Sequence, residues 1–71
     1  MARNKHPEQT IERILDTAAQ LFFQKGYDRT TLQDIIDATG LSKGAIYHHF
    51  ASKEAIIIAV VNRMGDFNST V

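Results

Sequence analysis

The sequence predicts an all-α domain, a three-helix bundle containing a helix-turn-helix, followed by the start of a fourth helix. Three observations carry that expectation. Apolar side chains recur at three- and four-residue intervals in separate stretches. Those stretches are bounded by helix stops and caps: glycines at 26 and 40, hydroxyl side chains at 31, 42 and 52. The two middle stretches are short and are joined through Gly40-Leu41-Ser42.

The elements follow in order. Ala2 to His6 is polar, basic and unpatterned and reads as a mobile arm. Pro7 suits a first helical turn, and Glu8 lies near the positive end of the helix dipole. Ile11, Ile14, Leu15, Ala18, Leu21 and Phe22 then fall at helical spacing. Gly26 supplies a left-handed stop after Lys25, with Tyr27 placed to pack back on Phe22 in a Schellman cap. The first helix is therefore Pro7 to Lys25. Thr31 caps a second helix, with Asp34 three residues on as a weaker relative of the capping box. Leu32, Ile35, Ile36 and Thr39 share one face, and Gly40 ends the helix after two turns. Ser42 caps a third helix from Lys43 to His49, with Ile46 and Phe50 facing the core. Ser52 caps a fourth helix that Gly65 weakens or ends, with Asn68-Ser69-Thr70 fraying. The organisation is an arm and helix start over 1–9, a helix-turn-helix domain over 10–51, and helix 4 over 52–71.

Composition narrows the function. Seventy-one residues make one small domain. Without cysteine there is neither a disulfide framework nor a thiolate metal site, which fits a reducing cytoplasm. No run approaches the ~18 apolar residues of a membrane span, and no apolar stretch follows the N-terminal charges as in a secretory signal. Eight basic and eight acidic residues cancel, but their distribution matters more than their sum. From Ala38 to Lys53 there is no acid, while Lys43, Lys53, His48 and His49 are present. Ser42, Ser52 and the histidines lie on short helices with no evident triad partner, which speaks against a hydrolase. His48 and His49 point about 100° apart and do not readily share one metal ion.

Glycine at 40 allows a backbone angle that a side chain would oppose, and Leu41 plugs the space between the helices. In DNA-binding proteins the second helix of such a pair lies in the major groove. The same corner also serves packing or protein interaction alone, so spacing by itself leaves both readings open.

The residues around the turn add to this. Ala18-Ala19-Gln20-Leu21-Phe22, Gly26-Tyr27, Thr30-Thr31, Ile35, Gly40-Leu41-Ser42-Lys43-Gly44, Tyr47-His48-His49-Phe50 and Ser52-Lys53-Glu54 together resemble the N-terminal signature of the TetR family of bacterial transcriptional regulators. The resemblance covers roughly Ile11 to Val61. It implies a homeodomain-like DNA-binding domain and a linking helix 4. It also implies a bacterial, cytoplasmic regulator that binds operator DNA as a homodimer, usually as a repressor released by a small-molecule inducer. Ile36 and Thr39 depart from the commonest pattern, in which small alanines are frequent, and so bear on interhelix spacing.

Contact roles carry over by resemblance. Thr31 matches a phosphate-binding threonine, and Gln33 a position that reaches a base from helix 2. Lys43, Gly44, Ala45 and His48 match groove-facing positions, with Ser42 at their cap. Tyr47 and His49 match phosphate holders, and Lys53 matches a phosphate-binding lysine at the start of helix 4. The chemistry agrees: lysine donates to guanine, glutamine pairs with adenine and alanine touches a thymine methyl. Plainer readings stand beside these. The Tyr47 ring can be core with a wet hydroxyl, the two lysines can simply solvate a surface, and Gln33 can be an ordinary outward polar side chain. Phe22, Ile46 and Phe50 are assigned to the core.

Ala55 to Val61 is apolar without interruption. A helix apolar all round is normally buried on several sides, and only one face of helix 4 can cover helices 1 to 3. The expectation is that this chain is the N-terminal part of a longer protein. The domain that binds ligand and dimerises would then cover the other face.

Overall fold

The computed structural model describes residues 7–69, with side chains over 9–64. The described residues form four helices: α1 (Pro7–Lys25), α2 (Leu32–Thr39), α3 (Lys43–His49) and α4 (Lys53–Ser69). No strand occurs among them. The arm at 2–6 and Thr70 lie outside the described residues.

Each helix begins and ends for a local reason. Gly26, at φ 93°, closes α1 through a bond from its N–H to the Phe22 carbonyl at 2.9 Å. This is the single-bond left-handed form of the cap, not the Schellman pair. The ring contact is still made, with Phe22 and Tyr27 centroids 5.2 Å apart. Thr31 and Asp34 form a complete capping box: Asp34 N–H donates to Thr31 Oγ1, and Thr31 N–H to Asp34 Oδ2, each at 3.0 Å. Aspartate thus fills the place expected of glutamate, and its carboxylate also takes a 2.8 Å bond from Lys25. Gly40, at φ 77°, ends α2. Ser42 and Ser52 cap the next two helices by accepting from Ala45 N–H at 3.1 Å and Ala55 N–H at 3.2 Å.

Gly65 does not end α4, which runs to Ser69. A glycine inside a helix costs about 1 kcal/mol relative to alanine, a penalty that a helix of 17 residues accommodates. Gly65 also lacks the positive φ that serves as a stop at Gly26 and Gly40.

The core lies where α1 meets α2 on one side and α4 on the other. Ile14, Leu15 and Ala18 of α1 meet Ile35 and Ile36 of α2, Ile46 of α3, and Ile56 and Val60 of α4. Each large member contributes roughly 1.5–3 kcal/mol through burial. Phe22 and Phe50 pack against this cluster while only partly buried. Thr30 is fully buried, its hydroxyl donating to the Gly26 carbonyl at 2.8 Å with the Leu21 carbonyl at 3.3 Å. At the α2–α3 turn, Thr39 is buried and stitches the chain. Its Oγ1 donates to the Ile36 carbonyl at 3.0 Å and accepts from Leu41 N–H at 3.1 Å. The two departures from the family pattern, Ile36 and Thr39, are thus both absorbed into the core side of the turn.

Candidate nucleic-acid interface

In α3 only Ile46 is buried. At about 100° per residue, that anchor turns Gly44 and His48 to the opposite side, one helical turn apart. Lys43 and Tyr47 lie on one flank, and Ala45 and His49 on the other. Observed burial follows this wheel: Lys43, Gly44, Tyr47 and His48 are exposed, while Ala45 and His49 are half-buried. Tyr47 is 45% exposed, so its ring is not a core side chain. His48 and His49 pack edge to face at 5.0 Å. No carboxylate belongs to α3 or to the turns on either side of it, since the sequence holds none between Asp37 and Glu54.

Gly44 has no internal reason to be glycine. Its φ is not positive, and an added Cβ would meet only Ser42 Oγ, at 4.0 Å. A glycine that weakens a seven-residue helix without relieving a clash leaves its outer side open to a close neighbour.

Around α3 stand the remaining candidates. Thr31 is exposed. Its hydroxyl oxygen accepts from Asp34 N–H, which leaves the hydroxyl hydrogen for an outside acceptor. Gln33 is exposed, but its Nε2 donates to Asp37 Oδ1 at 2.9 Å. Its oxygen and one amide hydrogen stay available. Ser42 is committed to the cap of α3.

Lys53 is half-buried. Its ammonium donates to the Tyr27 carbonyl at 2.8 Å and lies 4.2 Å from the centre of the Tyr27 ring. Burial pushes the Tyr27 phenol above its ordinary value, and the carboxylates of Glu54 and Asp28 add to the effect. At Asp34 the bond from Lys25, then the Thr31 amide, lowers the carboxyl to about 2. Among the described residues no group of three or more His, Cys, Asp or Glu side chains comes together as a metal site.

Sequence reasoning missed the Lys53–Tyr27 contact because 26 residues separate the partners and no local pattern links them. It also missed Phe23, which is 93% exposed. Phe23 lines an open apolar groove between α1 and α4 with Ala19, Phe22, Ile57, Val60 and Met64. Its position next to Phe22 in an otherwise periodic helix was the available signal.

A capped helix held by one buried side chain, set against α2 through a glycine turn and presenting an acid-free face, defines a helix-turn-helix domain of the nucleic-acid-binding type. Residues 14–60 match the sequence pattern of bacterial regulatory proteins of the tetR family, and the chain belongs to that family. It is 50% identical over 48 residues to the uncharacterized HTH-type transcriptional regulator YerO of Bacillus subtilis, covering 68% of this chain and 17% of that protein. It is 42% identical over 62 residues to the A-factor receptor protein of Streptomyces griseus, covering 87% and 22%. The HTH-type transcriptional repressor KstR2 of Rhodococcus jostii is 50% identical over 44 residues, covering 62% and 22%. The crystal structure of a transcriptional regulator from Aquifex aeolicus superposes with a TM-score of 0.74 at 48% identity, over 76% of this chain and 32% of that one. The chain thus spans 17% to 22% of the length of these three sequence relatives. Among the described residues no helix is long and apolar enough to cross a membrane.

Proposed function

We propose that this domain binds double-stranded DNA by laying α3 in the major groove, as the operator-reading part of a transcriptional repressor. The observation that carries the reading is the outer face of α3, where Gly44 and His48 are flanked by Lys43 and Tyr47 without any carboxylate. Lys43, in the first turn, reads a base. Gly44 and Ala45 let the helix approach the groove floor, and His48 reads or supports a base a turn later. Thr31, Tyr47, His49 and Lys53 hold phosphates on either side, Ser42 fixes the helix start, and Gln33 reaches the groove edge from α2. Phosphate contacts position the domain and base contacts specify its site.

The whole regulator acts as a homodimer and is released by a small molecule bound in a further domain of the same polypeptide. The relatives, a receptor and a repressor among them, support release by ligand and a repressing role. So does the open face of α4, where Ile58, Val61 and Met64 are exposed. The activity is regulatory, not enzymatic, and belongs to the cytoplasm.

The test is selection of bound duplexes from a random pool, followed by a salt series on the winner. The reading expects a recurring half-site and an affinity that falls steeply with salt as counterions are released. Failure to enrich any sequence, with no salt-dependent binding, would instead favour a protein-interaction module built on the same corner.

A further inference from the structure

Three cations of this domain are held by named partners, and one of them differs from the others. Lys25 is paired with the Asp34 carboxylate at 2.8 Å, and Arg63 with the Asp16 carboxylate at 2.9 Å. Lys53 is held by a neutral carbonyl and the face of an aromatic ring, both from Tyr27. Among the described residues no carboxylate lies within ion-pairing distance of its ammonium. A lysine side chain loses much rotamer freedom when it is fixed. Here that ordering takes place without neutralising the charge.

We propose that Tyr27 is the positioning residue for Lys53, holding its ammonium ordered and still charged for a DNA phosphate. The inference rests on the DNA-binding reading above and adds to it a residue outside the helix-turn-helix. The seat is built from the chain upward. Gly26 closes α1 in the left-handed conformation and turns the chain so that Tyr27 lies back against Phe22. With its ring fixed on that side, Tyr27 presents a π face to Lys53. Its carbonyl, which also accepts from Thr30 N–H at 3.2 Å, takes one ammonium hydrogen. An ammonium carries three hydrogens, so two remain for phosphate oxygens. Ring and carbonyl do the holding, and the phenol hydroxyl has no part in it.

The experiment measures affinity for a mixed-sequence duplex of about 30 base pairs, three helical turns, across a salt series. It compares the protein with Lys53→Ala, Tyr27→Leu, Tyr27→Phe and the Lys53→Ala/Tyr27→Leu double variant. Melting curves establish that each variant is folded at the assay temperature. Lys53→Ala is expected to reduce the slope of log affinity against log salt by about 1, the signature of one lost phosphate contact. Tyr27→Leu keeps the carbonyl and loses the ring. It is expected to weaken binding about two- to fivefold, the size of an exposed cation–π contact, and to move the salt slope in the same direction. Tyr27→Phe keeps both holding groups and should bind like the parent. In the Lys53→Ala background Tyr27→Leu should cause no further loss. Additive losses in the double variant overturn the proposal, as does a Tyr27→Leu protein with unchanged binding or a Lys53→Ala protein with an unchanged slope. Salt-independent or absent binding by the parent protein overturns the DNA-binding reading itself. That outcome is visible before any variant is compared.

Discussion

Two residues of α3 separate the demands of folding from those of recognition. Gly44 sits in a helix where alanine is preferred by about 1 kcal/mol, and the space around it admits a Cβ. Gly44→Ala should therefore stabilise the domain by roughly 0.5–1 kcal/mol in thermal or denaturant unfolding while weakening DNA binding severalfold. A stabilised variant with undiminished affinity would show that no DNA surface approaches this position. Lys43, exposed in the first turn and free of acidic neighbours in sequence, makes the complementary case. Lys43→Ala should relax preference at one base pair by ~1–3 kcal/mol if the ammonium donates to guanine. Competition between duplexes differing at that pair measures it, and an unchanged ranking would remove Lys43 from the list of readers. The faces of α3 were legible from the spacing of Ile46 and Phe50. The commitment of Gln33 to Asp37 was not legible. A side-chain pair at i, i+4 is permitted by the sequence, but an outward-reaching rotamer is permitted equally.

At the scale of elements, the helix boundaries were read from punctuation with local physical meaning, and α1, α2 and α3 match those readings. Of the two outcomes open for Gly65, weakening or ending α4, ending is excluded, because a glycine stops a helix where its φ turns positive, and sequence alone does not distinguish that from a tolerated interior glycine. The start of α2 was underestimated for a different reason. The capping box was visible in Thr31 and Asp34, but the third partner, Lys25, comes from the previous helix. This three-way contact gives the junction a pH dependence with a definite sign. The Asp34 carboxyl is held at about 2, below its ordinary 3.8. A lowered carboxyl contributes stability that is fully present above the unfolded value, and that contribution is lost as pH falls through the folded value. Unfolding curves should therefore show a loss of stability between about pH 4 and 2 that Asp34→Asn removes. An identical acid limb in the variant would mean that other carboxylates govern it.

For the whole molecule, the decisive feature is how α4 is tied to the rest. Its first residue is held by Tyr27, Ile56 and Val60 are buried within its first eight residues, and Arg63 three residues further on pairs with Asp16 of α1. The buried side chains carry most of this attachment, since exposed ion pairs contribute only about 0–1 kcal/mol. Fastened to α1 from Lys53 to Arg63, α4 is expected to move with α1 and, through α2, with the recognition helix. In a dimeric regulator, tilting α4 would then change the separation of two α3 helices. Half-sites on successive major grooves require roughly 34–36 Å between centres, so a modest tilt breaks simultaneous contact. A released state dominates only if the inducer binds it more tightly than the DNA-bound state, because equal affinity shifts no equilibrium. Two recognition helices joined in one dimer also gain from effective concentration, since the second docks intramolecularly once the first is bound. The 71-residue chain on its own should accordingly bind operator DNA weakly as a monomer and ignore inducer. The dimeric regulator should bind orders of magnitude more tightly and let go when ligand is added. Titration of both against one operator, with mass measured by light scattering, decides the matter. Equal affinity for a demonstrated monomer and the dimer would sink the spacing argument, and an inducer response by the isolated chain would sink the lever.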